Sequence, residues 1–469
     1  MKVAIIGAGP AGLTAGYILA KSKTQVAVLE ADKVVGGISR TVVDGEFRFD
    51  LGGHRFFTKN KEVNSLIDEL LAGELIDVSR KSRIYFKNRY FDYPLQGRNA
   101  FFGLGMFTAC QIVASFLWQR IKRPFTKKRI ATLKDWVTDK FGSKMFELYF
   151  KSYTEKVWGI PCEKIEAEWV AQRIKGMSLS RAIKSVIFTA KKNQPVTLLR
   201  SFKYPKLGIG RISERMSEAI SGHNEVLLNS PVTGISADKD KITSISYNGP
   251  KGKNAEFFAD QFISSMPITE LLRAMKPLPP PDILQAAEKL RYRDFIAVML
   301  KINKPKATED TWLYIHEPKI EFGRIHEPKN WSPDMSPKDK TSLVMEYFCF
   351  EGDAIWNMPD DQLSELTQRR LIDNLGFITD QDVIGYDIVR VKKAYPMYEL
   401  GYKQYLNKIL EYLSQFKNLQ IIGRNGTFRY NNMDHSIEMG LMAAKKLLGE
   451  EHDVFKVNAS GEYLEEMRA

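Results

Sequence analysis

Six residues into the chain, Gly7-Ala8-Gly9-Pro10-Ala11-Gly12 limits the fold more than any other stretch. The apolar run Lys2-Val3-Ala4-Ile5-Ile6 before it predicts a buried strand, and Ala11 to Ala20 after it predicts a helix. In such a turn the first glycine allows the tight bend, the second lets backbone approach a pyrophosphate, and the third lets helix and strand pack closely. The helix N-terminus then offers unpaired N–H groups to phosphate. Val26-Ala27-Val28-Leu29-Glu30 predicts a second strand, ending in a carboxylate eighteen residues after Gly12. A carboxylate there accepts hydrogen bonds from ribose hydroxyls and repels a 2′-phosphate.

At 469 residues the chain is too long for one ordinary core, so two or three domains are expected. Cys110, Cys162 and Cys349 are far apart and form no metal or redox pattern, which predicts reduced thiols, a cytoplasmic setting and no metal site. The first strand starts at residue 2, so no cleavable signal is expected ahead of it. The net charge of +13 favours anionic partners, and with no nucleic-acid motif these are not expected to be nucleic acid.

The cations are mostly scattered, except for six between Arg120 and Arg129. That cluster follows the uncharged run Phe101 to Trp118, whose polar Thr108, Gln111 and Ser115 share one helix face. Residues 101–129 therefore have two readings: a peripheral contact with the inner face of a membrane, or a helix packed on its own domain with a solvated basic exit.

Residues 1–80 alternate strand and helix, and residues 81–200 read as mainly helical. Residues 201–270 return to α/β character. After the loop Pro277 to Pro281, residues 271–395 read as a mixed sheet, and 396–455 close with a strand feeding a helix N-terminus. The expected fold class is α/β. A discontinuous Rossmann-like nucleotide domain (1–80, 201–270 and 396–455) would carry a helical insertion and a mixed-sheet substrate domain.

Three further elements extend the dinucleotide to FAD. Gly36-Gly37 with Arg40 follows Glu30, where glycines admit the cofactor backbone and the arginine can meet a pyrophosphate. Gly52-Gly53-His54 is a second glycine pair against which a flat ring could lie. Gly423-Arg424 precedes the closing helix, whose N-terminus would stabilise the anion of a reduced flavin. This set resembles the glutathione-reductase-like flavoproteins in their amine-oxidase and mutase branch.

Beyond that point the chain resembles UDP-galactopyranose mutases in patches along most of its length. Gly53-His54-Arg55-Phe56-Phe57 is similar to their glycine–histidine loop at the flavin, with Phe57 in place of a second histidine. Tyr153-Thr154-Glu155-Lys156-Val157-Trp158-Gly159 resembles a motif whose tyrosine and tryptophan flank substrate. Arg173 matches the first arginine of another motif, and Arg324 in Gly323-Arg324-Ile325-His326-Glu327 matches one aimed at a diphosphate. Glu346-Tyr347 and Tyr395-Pro396 resemble two further family segments, with Tyr347 and Tyr395 as the implied site residues. In the closing segment Gly423 to Asp434, the resemblance puts Arg424, Asn432 and Met433 near the flavin and Tyr430 on the diphosphate.

The resemblance implies an enzyme in which reduced flavin N5 attacks a sugar's anomeric carbon, so that an electron donor must first reduce the FAD. Arginines suit a diphosphate through paired, charge-assisted bonds, and tyrosines add donors without charge. The family positions now held by Met177, Phe202, Ala394 and Asn432 differ from the mutase pattern. They direct the expectation to a nucleotide-linked or lipid-phosphate-linked sugar in surface glycan synthesis rather than to UDP-galactose alone. Two other readings stand beside it: an FAD oxidoreductase resembling protoporphyrinogen oxidase and acting on an apolar substrate, and a flavin-binding membrane scaffold.

Overall fold

The computed structural model describes residues 1–93, 105–125, 129–173, 201–220, 224–249 and 252–458. Its first unit is a five-stranded parallel sheet in the order Leu419–Ile421, Gln261–Ser264, Lys2–Ile6, Gln25–Leu29, Glu225–Leu227. The first strand is central. The chain builds outward on one side through Gln25–Leu29 and returns on the other through Gln261–Ser264, so Gly7–Gly12 lies at the point where the order reverses. In open parallel sheets ligands bind at that point, beyond the carboxyl ends of the strands.

Two helices cover the glycine turn. Pro10–Lys21 follows it directly, and Met433–Leu447 packs along Pro10–Lys21 so closely that a Cβ on Gly440 would lie 2.2 Å from the Ala11 carbonyl oxygen. The closing helix begins at Met433, because Asn432 caps it and its N–H donates to His435 Nδ1 at 3.1 Å.

The second unit is a seven-stranded mixed sheet. Its core is the antiparallel set Val383–Pro396, Tyr292–Ile302, Thr341–Cys349, Arg324–His326 and Trp312–Ile315. Ser82–Phe86 and Arg89–Asp92 complete it, although the sequence reading made residues 81–200 mainly helical. They form a hairpin because Lys87 and Asn88 both adopt positive φ at a tight turn and Ile84, Phe86 and Phe91 bury together. The helical part begins with Met106–Lys122 and continues through Leu133–Phe141 and Ser152–Trp158.

Candidate active site

The glycine turn is built for an anionic chain lying over it. Gly7 has φ +98°, and a Cβ there would sit 2.4 Å from Ser265 Oγ; a Cβ on Gly12 would sit 2.0 Å from the Gly7 carbonyl oxygen. Both positions exclude a side chain for reasons internal to the protein. Gly9 is different: no atom lies within 4 Å of where its Cβ would be, so its missing side chain keeps an approach open. Gly36 and Gly37 both adopt left-handed backbone, and the Gly36 N–H donates to the Ala8 carbonyl at 2.8 Å, which holds the second glycine pair against the first. Glu30 ends its strand with one carboxylate oxygen accepting from the Ala8 N–H and the other from the Asp32 N–H. Arg40 pairs with Asp32 at 2.9 Å beside them.

Asp50 links this cradle to Gly52-Gly53-His54. Its carboxylate accepts from the hydroxyls of Thr41 and Tyr204 and from the Ile209 N–H. Burial raises its pKa to about 7 against those donors. Gly53 lies under the Trp312 indole, whose ring atoms would be 1.6 Å from a Cβ there. The ring against the Gly53 main chain is therefore a protein side chain.

Beside Gly52 the mixed sheet carries Arg324 and Tyr395, and the chain after Leu419–Ile421 adds Arg424 and Tyr430. Arg324 pairs in register with Glu346 across adjacent antiparallel strands, and Nε lies 3.5 Å from the carboxylate. The Arg324 guanidinium lies over the Phe348 ring at 4.6 Å and the Trp312 ring at 5.4 Å. Burial opposes its charge, yet Glu346 and the phenols of Tyr395, Tyr153 and Tyr430 keep its pKa above the ordinary value. Arg424 donates to the carbonyls of Asn431 and Ala394 and lies 5.3 and 5.0 Å from the Tyr395 and Tyr430 rings. Those rings stack at 5.6 Å, and Trp158 approaches Tyr430 at 6.2 Å. Tyr153, on the same helix as Trp158, stacks on His316 at 4.2 Å. Burial, then the charges of Arg424 and Arg324, hold the His54 pKa down at about 3, so its imidazole is neutral throughout the physiological range.

The structure thus gathers His54, Tyr153, Trp158, Arg324, Arg424, Tyr395 and Tyr430. Asn432 stands at the N-terminus of the closing helix, and Met433 is buried in the nucleotide-domain core. Arg173 ends helix Ala167–Arg173, and its side chain lies outside the described residues.

Tyr347 is a correction. Its hydroxyl bonds Thr367 Oγ1 at 2.7 Å and its ring meets Phe322 edge-on, on the opposite face of the sheet. Successive residues of a strand face opposite ways, so once Glu346 faces Arg324, Tyr347 must enter the core behind.

Two supports escaped the sequence reading. Lys156 Nζ donates to the carbonyls of Ile315, Glu317 and Ile320 at 3.0, 2.7 and 2.7 Å, fastening the Trp158 helix to the loop before Arg324. Arg293 closes the C-terminus of that helix by donating to the carbonyls of Val157 and Lys156, and also to that of Phe348. A Cβ on Gly159 would strike its guanidinium at 2.4 Å, which explains the glycine after Trp158.

Several buried polar atoms here make no hydrogen bond within the described protein: His54 Nδ1, Trp158 Nε1, Arg324 Nε and Glu346 Oε1. Unmet donors and acceptors of this kind are costly in a core and suit a bound group that would meet them. With the open approach at Gly9, they fit a long, flat, anionic cofactor whose phosphates lie over Gly9 and whose ring reaches the arginine and tyrosine cluster.

A family profile described as flavin containing amine oxidoreductase matches residues 10–448. A crystal structure of reduced UDP-galactopyranose mutase superposes with TM-score 0.85 at 23% identity, covering 99% of this chain and 98% of that one. A putrescine oxidase double mutant superposes at 0.65 and 17% identity, covering 96% and 99%. Protoporphyrinogen oxidase 2 of Arabidopsis thaliana is 22% identical over 460 residues, 89% of this chain and 87% of that protein.

Proposed function

Because the chain belongs to the flavin containing amine oxidoreductases and its cofactor is FAD, we propose that it is a mutase-like flavoenzyme acting on a nucleotide-linked or lipid-phosphate-linked sugar. The observation that carries this reading is the pair of half-buried guanidiniums, Arg324 and Arg424, among Tyr153, Tyr395 and Tyr430, with Glu346 as the carboxylate paired to Arg324. Two cations against one such anion leave a net positive, water-poor site, which suits a diphosphate and penalises an uncharged apolar substrate.

Gly9, the Gly36-Gly37 pair and the start of helix Met433–Leu447 would hold the cofactor. FAD, once reduced, supplies a nucleophilic ring nitrogen that the side chains lack. The chain itself orients and excludes. Arg324 and Arg424 would take the phosphates, with Arg324 fixed by Glu346 and Arg424 by two backbone carbonyls. Trp158 and the stacked Tyr395–Tyr430 pair would wall the sugar from water. Neutral His54 can donate or accept at Nδ1 without adding charge beside the reacting carbon.

The decisive test incubates dithionite-reduced holoenzyme with a panel of UDP-, GDP- and dTDP-sugars and polyprenyl phosphosugars, then separates ring isomers by chromatography. Interconversion that requires reduction supports the proposal. Absence of interconversion across the panel, with oxygen-dependent turnover of an apolar amine or tetrapyrrole instead, overturns it in favour of oxidoreductase chemistry.

A further inference from the structure

Helix Met106–Lys122 is apolar on two sides, of which the protein covers one. One edge of it is tied to the protein: Ser115 Oγ lies 3.0 Å from Ser143 Oγ and accepts from the Lys144 N–H at 3.1 Å. Only Ala109, Ile112 and Phe116 along it are buried. The outward stripe, at the three- and four-residue spacing of one helix face, is Phe107, Cys110, Ala114, Leu117 with Trp118, and Ile121. Phe125 extends it through the short turn Arg123–Phe125. Met106, Phe107, Ile121 and Phe125 are between 61% and 85% exposed. A contiguous apolar strip of this kind marks a contact surface rather than ordinary scatter.

Charge tells what the strip meets. Arg120, Lys122 and Arg123 crowd its C-terminal end and Arg129 follows. Among the described residues, Asp139 lies 3.3 Å from Arg123 and is already flanked by Lys140. Lys122 lies over the exposed Trp118 ring at 5.3 Å, so a cation borders the apolar strip directly. Aromatics beside lysine and arginine match the interface of an anionic bilayer, where rings enter the acyl boundary and cations meet phosphates.

The helix does not span. Its 17 residues reach about 26 Å at ~1.5 Å per residue, short of the ~30 Å hydrocarbon layer. Among the described residues no helix is long and apolar enough to cross a membrane.

We propose that Met106–Phe125 is a monotopic docking surface that seats this enzyme on an anionic membrane, with Phe107, Trp118, Ile121 and Phe125 inserted and Arg120 and Lys122 on the headgroups. This is independent of the substrate reading.

Cys110 lies on the exposed stripe while Cys162 and Cys349 are buried, so a thiol-reactive, environment-sensitive dye can be placed at the contact. The labelled holoprotein is mixed with vesicles of phosphatidylcholine alone and with phosphatidylglycerol added, and unlabelled protein is tested by flotation. The expected result is a blue shift and flotation with the anionic vesicles, reduced about tenfold or more in apparent affinity by Trp118→Ser with Phe125→Ser, and weakened by salt and by Arg120→Glu with Lys122→Glu. All these residues are exposed and outside the site, and retained flavin absorbance reports folding. The proposal is overturned if vesicles cause no shift or flotation, if the variants bind as well as the parent, or if the dye is already blue-shifted without lipid. A shift without lipid that grows with protein concentration assigns the strip to a second copy of the chain, and one independent of concentration assigns it to the chain's own residues.

Discussion

Arg324 and Glu346 stand opposite each other on neighbouring antiparallel strands, and their side chains meet at 3.5 Å beside Gly52. Burial raises the pKa of Glu346 while Arg324 pulls it back, so each charge is tolerable because of the other. Arg324→Ala should therefore destabilise the ligand-free protein by about 3–5 kcal/mol, the range for a buried charge left without its partner. Arg324→Met combined with Glu346→Leu should recover most of that loss while abolishing binding of the proposed diphosphate ligand. Denaturant titration and calorimetric binding read the two effects separately; a double variant as unstable as Arg324→Ala contradicts the pairing.

Gly9 and Gly12 are two glycines of one turn with different duties. Gly12→Ala forces a Cβ to 2.0 Å from the Gly7 carbonyl, so the first helix must leave its strand and the protein should fold poorly with or without FAD. Gly9→Ala meets nothing within 4 Å, and its φ of −76° suits alanine. Its apoprotein should unfold within about 0.5 kcal/mol of the parent, while FAD retained through gel filtration should drop sharply. Parent-like flavin content in Gly9→Ala would mean that the phosphates do not pass over this residue.

The nucleotide half was legible in the sequence because local rules dictate it. The strand Lys2–Ile6, the turn and Glu30 each carry their signal within a few residues. The mixed sheet was legible only in part. The hairpin Ser82–Asp92 is short and pairs through Ser82–Phe86 with Trp312–Ile315, more than two hundred positions away, so no local period announces it. Tyr347 was misplaced for a related reason: which of two adjacent strand residues faces the site depends on register with Arg324 across the sheet. Lys156 and Arg293 act on backbone carbonyls brought together by folding, and nothing near them in sequence reveals those partners.

Buried titratable groups pull the acid stability of this protein in opposite directions. His54, His316 and His326 have pKa values lowered from 6.5 to about 3, chiefly by burial. Below pH 6.5 the unfolded chain gains protons that the fold refuses, so these three lose stability as pH falls. Asp50 runs the other way: its pKa rises from 3.8 to about 7, the fold keeps a proton that the unfolded chain releases, and stability falls as pH rises through that window. Asp50→Asn should steepen the rise of stability between pH 4 and 6 by about 1.4 kcal/mol per pH unit, one proton's worth. His326→Gln should flatten it by a similar amount. Urea midpoints at several pH values check both, and slopes unchanged from the parent would place these groups in water.

Lys156 makes the last prediction, because its single ammonium fastens two parts of the site. Three carbonyls, from Ile315, Glu317 and Ile320, converge on one nitrogen, a geometry that a compact ammonium satisfies and a planar guanidinium does not. Lys156→Met leaves those carbonyls without their donor and frees the helix bearing Tyr153 and Trp158 from the loop that leads to Arg324. The expected loss is about 2–3 kcal/mol of stability, with Lys156→Arg failing to restore it. The holoprotein should also show a shifted Trp emission, since Trp158 packs edge-on against Trp169 and beside Tyr430 and responds to any movement of its helix. A Lys156→Met protein with parent-like stability and emission would show that the helix is held by its apolar packing alone.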